Sequence, residues 1–246
     1  MSITVTGPKI LWVLFPDTLH ITITETILTS WVVMAILIVG SFLINRKLSV
    51  RKPGAIQVLV EKGVMMIYNN VESIMGSHNL HFAPYIGTLF LSSILGTLLG
   101  MTGVLRSATG DLSTTVAWAL ATSFMQWYGS IKNGGLWPFL KNWLNPMNII
   151  SDVAQPISMS FRHFGNIAGG SVMTTLIYTG LALLSSFVLQ WIPVAAINQI
   201  PIFQLGIPAF LSIYFDLFSG FVQALIFMML TMVFVGGAYP APEDKK

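Results

Sequence analysis

From Met147 to Ile197 the chain runs nearly free of charge, and this one stretch limits the possible folds more than any other. Built as a single helix at about 1.5 Å per residue it would extend roughly 75 Å, against a bilayer hydrocarbon core of about 30 Å. A second run, Ile202 to Tyr239, would extend roughly 55 Å. Steep tilt is the usual remedy for such mismatch. The two runs are therefore expected as long inclined helices over 147–192 and 203–239, joined as a hairpin by the proline-rich turn "IPVAAINQIPIFQLGIP". Pro156 and Pro193 are candidate breaks in the first run and Pro208 trims the second, yet both remain overlong. A pair of this kind suits lying along something wide.

The rest of the chain agrees with a membrane setting. Hydrophobic residues are 54% of the sequence and charged residues 9%, where a soluble domain carries about 25% charged residues; the mean hydropathy is +0.76. The 246 residues make one all-α membrane domain, 1–246, without repeats or linkers. Further spans are read at 23–45, 85–105 and 112–131, giving five crossings. The segment 1–22 is read as an external N-terminal stretch without a removable signal peptide, and 240–246 as a cytoplasmic tail. Over 55–76, Ile56, Leu59, Val60, Val64, Ile67, Val71 and Ile74 recur at helical spacing around Glu61, Lys62 and Glu72. That pattern describes an amphipathic helix, either lying at the cytoplasmic interface or packed in the ordinary way.

Basic residues set the orientation. Arg46, Lys47, Arg51 and Lys52 follow the first span, Lys132 and Lys141 the third, and Lys245 and Lys246 close the chain. The positive-inside rule puts these in the cytoplasm and the N-terminus outside; only Arg106 falls in an external turn. A net charge of +3 without a basic stripe argues against nucleic acid. With Cys at zero, disulfide and zinc-thiolate chemistry are excluded. No GxxxxGK[ST] loop is present, so nucleotide chemistry would belong to another chain. His78 and His81 are read as loop residues rather than metal ligands, and no metal, cofactor or catalytic residue is expected.

Between Phe161 and Pro242 the only side chains charged at pH 7 are Arg162 and Asp216. An arginine at bilayer depth costs about 2.5–3.5 kcal/mol on insertion scales, and it cannot escape by losing its proton. Ser158, Arg162 and Asn166 follow at i, i+4, i+8 and share one helix face, with Gly165 and Gly169 on the adjacent face. In the last run Ser212, Asp216, Ser219 and Gln223 form a matching polar line. An intramembrane aspartate beside a fixed cation suggests a proton relay with a positive barrier. Snorkelling of Arg162 to the headgroups and a hydrogen-bonded seam between the helices are the structural alternatives. Asp152, Asn148 and Ser158 lie toward the cytoplasmic end. Asp111, in "DLSTT", is read as a helix cap in preference to a channel mouth.

"PISMSFRHFGNIAGG" followed by "YFDLFSGFVQALIFMMLTMVFV" resembles subunit a of the F-type ATP synthase, and "DLSTT" and "NPMNIISDVAQP" are similar to the flanking motifs of that family. The resemblance covers nearly the whole chain. It implies a stator subunit that forms two ion half-channels against the c-ring and couples H+ (or Na+) translocation to rotation and ATP synthesis. Arg162 then matches the arginine facing the ring carboxylates, Asn166 a polar residue of the outer path, and Gln223 the glutamine near the arginine. Asp216 matches a relay position usually holding Glu or His. Ser171 stands where many members place the Glu or His partner of that position, His163 where leucine is frequent, and Gln155 where a basic residue often precedes the proline. Ser158 and Asp152 are candidates for the inner path. The implied partners are the c-ring, the peripheral-stalk subunit b and the lipid bilayer, with one copy per complex in a bacterial-type cell membrane. A proton-coupled secondary transporter and a non-transporting assembly subunit are the alternative readings.

Overall fold

The computed structural model describes residues 9–14, 21–49, 53–102, 105–189 and 213–241. It opens with an antiparallel hairpin of β1 (Ile10–Leu14) and β2 (Ile21–Thr24), in which Trp12 stands opposite Ile23 and Val13 opposite Thr22. This hairpin was not expected from the sequence. The β-branched repeat "ITIT" favours an extended backbone and takes Ile23 and Thr24 away from the first helix. Helices follow as α1 (Glu25–Arg46), α2 (Ala55–Met75), α3 (Ala83–Met101), α4 (Leu112–Gly134), α5 (Leu136–Trp143) and α6 (Pro146–Leu189). A π-helical turn, Ile213–Phe218, then leads into α7 (Ser219–Ala238). The connecting turn 192–208 and Pro193 lie outside the described residues.

Among the described residues four helical stretches are long and apolar enough to cross a membrane: Glu25–Arg46, Ser77–Met101, Pro146–Val188 and Ser219–Ala238. The 23 residues of α4 give it a length of about 34 Å, but Ser, Thr and Gln126 lower its hydropathy. Its small polar residues face inward: Thr115, Thr122 and Ser123 are buried with Ala119, and the helix packs against both α6 and α7. An inward polar face next to other helices needs no apolar coat, which is how this helix differs in composition from those four.

One core ties α2, α3 and α7 together through Ile67, Val71, Met75, Ile86, Phe90 and Met232. A smaller cluster of Leu89, Ala119, Met159 and Phe227 adds α4 and α6. Close approach of α3 and α7 depends on Gly220, where a Cβ would lie 2.5 Å from the Thr97 methyl. The helix α2 divides between the two readings of its sequence. Ile67, Val71 and Met75 enter the core, while Ile56 and Leu59 in its first turns are exposed.

Both ends of the bundle are tied by polar side chains. The C-terminal carbonyls of a helix lack intrahelical partners. At α7 they are met by Asn133 Nδ2, which donates to Ala238 at 3.0 Å, and by Asn79 Nδ2, which donates to Tyr239 at 2.9 Å. The His78 ring hydrogen-bonds the same Tyr239 carbonyl at 2.8 Å. At the other end Asp111 Oδ1 accepts from the Ser113 amide at 3.0 Å, the N-cap expected from "DLSTT". Its Oδ2 accepts from the Thr26 hydroxyl at 2.7 Å, and Thr29 donates to the Arg106 carbonyl at 2.8 Å. These bonds fasten α1 to the turn before α4.

The helix α6 corrects one expectation. It runs unbroken for 44 residues through Pro156, about 66 Å. The missing N–H leaves the Asp152 carbonyl without its intrahelical bond, yet Pro156 is buried and the helix continues. Ser160 donates back to the Pro156 carbonyl at 2.8 Å, so the following turn stays bonded.

Candidate functional site

Around Arg162 the residues of α6 alternate between two environments. Pro156, Met159, Ser160 and His163 are buried against the bundle, whereas Ser158, Phe161, Arg162, Gly165, Asn166 and Gly169 are exposed. The helical period alone makes this division: positions three and four apart share a side. Thus Ser158, Arg162 and Asn166 do share one face, as their spacing requires. Arg162 has no hydrogen-bond or ion-pair partner among the described residues. Among the described residues no heavy atom lies within 4 Å of where a Cβ of Gly165 or Gly169 would stand. A bare cation therefore sits beside an open small-residue strip.

The opposite side of the same turn is fixed by His163. It is 1% exposed and its Nε2 lies 3.1 Å from Ser93 Oγ on α3. Its ring meets Phe227 edge-on at 5.1 Å between centroids and Trp118 at 6.0 Å. Elements α3, α4 and α7 thus all grip this one imidazole. Its Nδ1 is buried without a partner. The sequence marked His163 only as unusual; its contacts are with residues 45 to 70 positions away, which no local pattern reveals.

Asn166 joins α6 to α7, its Nδ2 donating to Gln223 Oε1 at 2.9 Å. Gln223 is 1% exposed and its Nε2 has no partner. The polar lines read on the two runs therefore meet, through Asn166 and Gln223; no bond joins Gln223 to Arg162. Beside this contact a cavity of about 420 Å³ is lined by Gly165, Asn166, Gly169, Tyr214, Phe218 and Ser219. Asp216 belongs to the π-helical turn that enters this region. Its side chain and all of Ser212 lie outside the described residues. A π turn inserts an extra residue per turn, so the simple i, i+4, i+7 spacing from Ser212 to Ser219 does not carry across it.

Ser171 lies nine residues beyond Arg162, about 13 Å along the helix. It lines a cavity of about 320 Å³ with Thr97, Arg106, Ser107, Ile167 and Thr174. Thr174 Oγ1 is buried there without a partner, while Ser171 Oγ donates to the Ala168 carbonyl at 2.8 Å. Toward the other end, Asp152 is half-buried and accepts from Trp143 Nε1 at 2.8 Å. Gln155 donates to Gln126 Oε1 at 2.5 Å, linking α6 to α4. Asn148 is held by Asn142. The sequence-derived residues of α6 are thus strung along the helix and not gathered in a pocket: Asp152 and Ser158 precede Arg162, and Asn166 and Ser171 follow it. No group of three or more His, Cys, Asp or Glu residues is placed to hold a metal among the described residues.

This arrangement is that of a multi-pass helical membrane protein with polar side chains and cavities spaced on either side of one exposed cation. The chain belongs to the ATP synthase A chain family, whose profile matches residues 27–236. It is 32% identical to ATP synthase subunit a 1 of Crocosphaera subtropica, over 92% of this chain and 91% of that protein. It is 30% identical to the sodium ion specific ATP synthase subunit a of Propionigenium modestum, over 95% of this chain and 86% of the relative. To ATP synthase subunit a of Moorella thermoacetica it is 29% identical, over 87% and 90% of the two chains.

Proposed function

We propose that this chain is the ion-translocating stator of a rotary ATP synthase, forming two half-channels against a c-ring and coupling H+ movement to ring rotation. The observation that carries the reading is the exposed Arg162, without a polar partner among the described residues, beside the strip of Gly165 and Gly169. A permanent charge there needs a facing anion, and a carboxylate on a ring of c subunits supplies one. No bond chemistry is assigned to this chain; ATP chemistry belongs to its partners.

The mechanism follows from elementary electrostatics. A ring carboxyl facing lipid is held neutral, because burial raises a carboxyl pKa. Opposite Arg162 it meets a fixed cation, which lowers such a pKa by about 1–3 units. It gives up its ion to one aqueous path and passes as the carboxylate. Beyond the arginine it reloads from the other path and re-enters lipid. Because the guanidinium keeps its proton, it also repels cations that would leak directly between the paths.

Asn166, Asp216 and Ser171 are assigned to the outer path, with the cavity holding the unpartnered Thr174 hydroxyl as its water-accessible part. Gln223 orients Asn166 toward it. Ser158 and Asp152 are assigned to the inner path. In this reading the N-terminus is outside and the C-terminus cytoplasmic, in a bacterial-type cell membrane, with one copy meeting the c-ring and stalk subunit b. Na+ is the second reading for the cargo, favoured by the sodium ion specific relative.

The test is ATP-driven ion pumping by the assembled complex in liposomes, comparing wild type with Arg162→Ala. Loss of pumping in an assembled complex is expected; normal coupled pumping would return Arg162 to a structural charge. A protonophore that abolishes the wild-type gradient selects H+, and one that enhances Na+ uptake selects Na+.

A further inference from the structure

Where α1 ends and α2 begins, the chain makes an elbow that the translocation mechanism does not use. Between the two helices lies an apolar groove of about 630 Å³, lined by Leu43, Ile44, Lys47, Leu48, Gly54 and Ile56. Leu43 is 53% and Ile56 73% exposed, so these two walls of the groove are largely uncovered among the described residues. Its mouth is cationic. Lys47 lines it, and the neighbouring Arg46, one residue back on α1, stands over the Phe42 ring at 5.2 Å.

The elbow is held in shape by one side chain. Gln57 Oε1 accepts from the Ser49 amide at 3.0 Å and its Nε2 donates to the Ser49 carbonyl at 3.2 Å. The same Nε2 donates to Glu61 at 2.7 Å. Glu61, the acidic group nearest the elbow in sequence, is thereby engaged with Gln57, and no ion pair to Lys47 or Arg46 occurs among the described residues. Ser49, just past the end of α1, is thereby tied to the first turn of α2.

We infer that this elbow is a binding site for an anionic phospholipid, one acyl chain lying in the groove and the phosphate on Lys47 and Arg46. The charge complements the headgroup, and the apolar walls complement the chain. Basic residues clustered at the end of a spanning helix attract anionic lipid, at about 1 kcal/mol for each residue near the surface. A zwitterionic lipid would gain the groove but not the charge.

The experiment uses the assembled complex in phosphatidylcholine nanodiscs carrying a trace of phosphatidylglycerol with a photoactivatable acyl chain. Labelling is mapped by peptide mass spectrometry and compared with a photoactivatable phosphatidylcholine. Residues 43–57 should label several-fold more with phosphatidylglycerol, and less as ionic strength rises in the wild type. Replacing Arg46→Gln and Lys47→Gln should weaken that labelling about fivefold per charge. Gly54→Leu keeps both charges but fills the groove; its backbone φ is −75° and a Cβ there meets nothing within 4 Å. It should remove labelling of this segment without loss of assembly. Equal labelling by the two lipids, salt-insensitive labelling of wild type, or a protein subunit cross-linked in the groove would overturn the inference.

Discussion

The α2–α3–α7 core and the exposed face of α6 are made from similar residues yet end in opposite states. In the core, Met232 is completely buried and Gly220 admits the Thr97 methyl. On α6, glycines at 165 and 169 meet nothing within 4 Å among the described residues, and Phe161 and Met173 are 55% and 52% exposed. The same small residue serves closure in one place and leaves room in the other. Apolar exposure is ordinary in lipid, where helices gain little from burying it; an exposed arginine without a partner among the described residues is not. The lesson is that the functional face is identified by its charge and its open glycines rather than by its hydrophobicity.

Paired substitutions sharpen this contrast. Met232→Ala should cause the largest loss of stability, about 2 kcal/mol. That is the low end of the range for large-to-small changes, because the reference state in the bilayer is already out of water. Denaturant titration of the purified chain in detergent measures it, and an unchanged midpoint would show that the core is looser than described. Asn166→Ala should come next, at about 1–2 kcal/mol, since it leaves buried Gln223 with neither end bonded. Asn166→Ala combined with Gln223→Leu should recover part of that loss, and no recovery would break the assignment of their bond.

Asp111→Ala should lower stability by about 1 kcal/mol by removing the cap of α4, read in the same titration, with Asp111→Asn largely restoring it. Smallest of all, Gly169→Ala should leave the midpoint unchanged while reducing ATP-driven pumping in liposomes. A stability loss at Gly169 equal to that at Met232 would erase the distinction between the two regions.

What could be read from the sequence was whatever repeats with the helix or depends on length. The overlong run around Arg162, the shared face of Ser158, Arg162 and Asn166, and the cap at Asp111 all follow from spacing along one element. Helix continuation through Pro156 was not legible, because the buried setting of that turn and the Ser160 back-bond keep it together. The β1–β2 hairpin was overlooked within a segment treated as a plain external stretch. Partners were hidden where two distant elements meet: Ser93 for His163, Gln126 for Gln155, Trp143 for Asp152. Asn166 and Gln223 were each singled out, but their contact with each other was not, since the π-helical turn before α7 shifts the register on which such a pairing would be guessed.

Mechanically, α6 is a beam with its load point near the first third of its length. Arg162 stands 16 residues from Pro146, about 24 Å along the axis. Directly behind it the beam rests on a bearing, the His163 ring wedged among Ser93, Trp118 and Phe227. A sideways push delivered at the guanidinium is passed through one turn of helix into three neighbouring helices before the beam can bend or roll. Weakening that bearing, as in His163→Ala, would therefore leave the charge in place and cost the protein the stiffness with which it is presented.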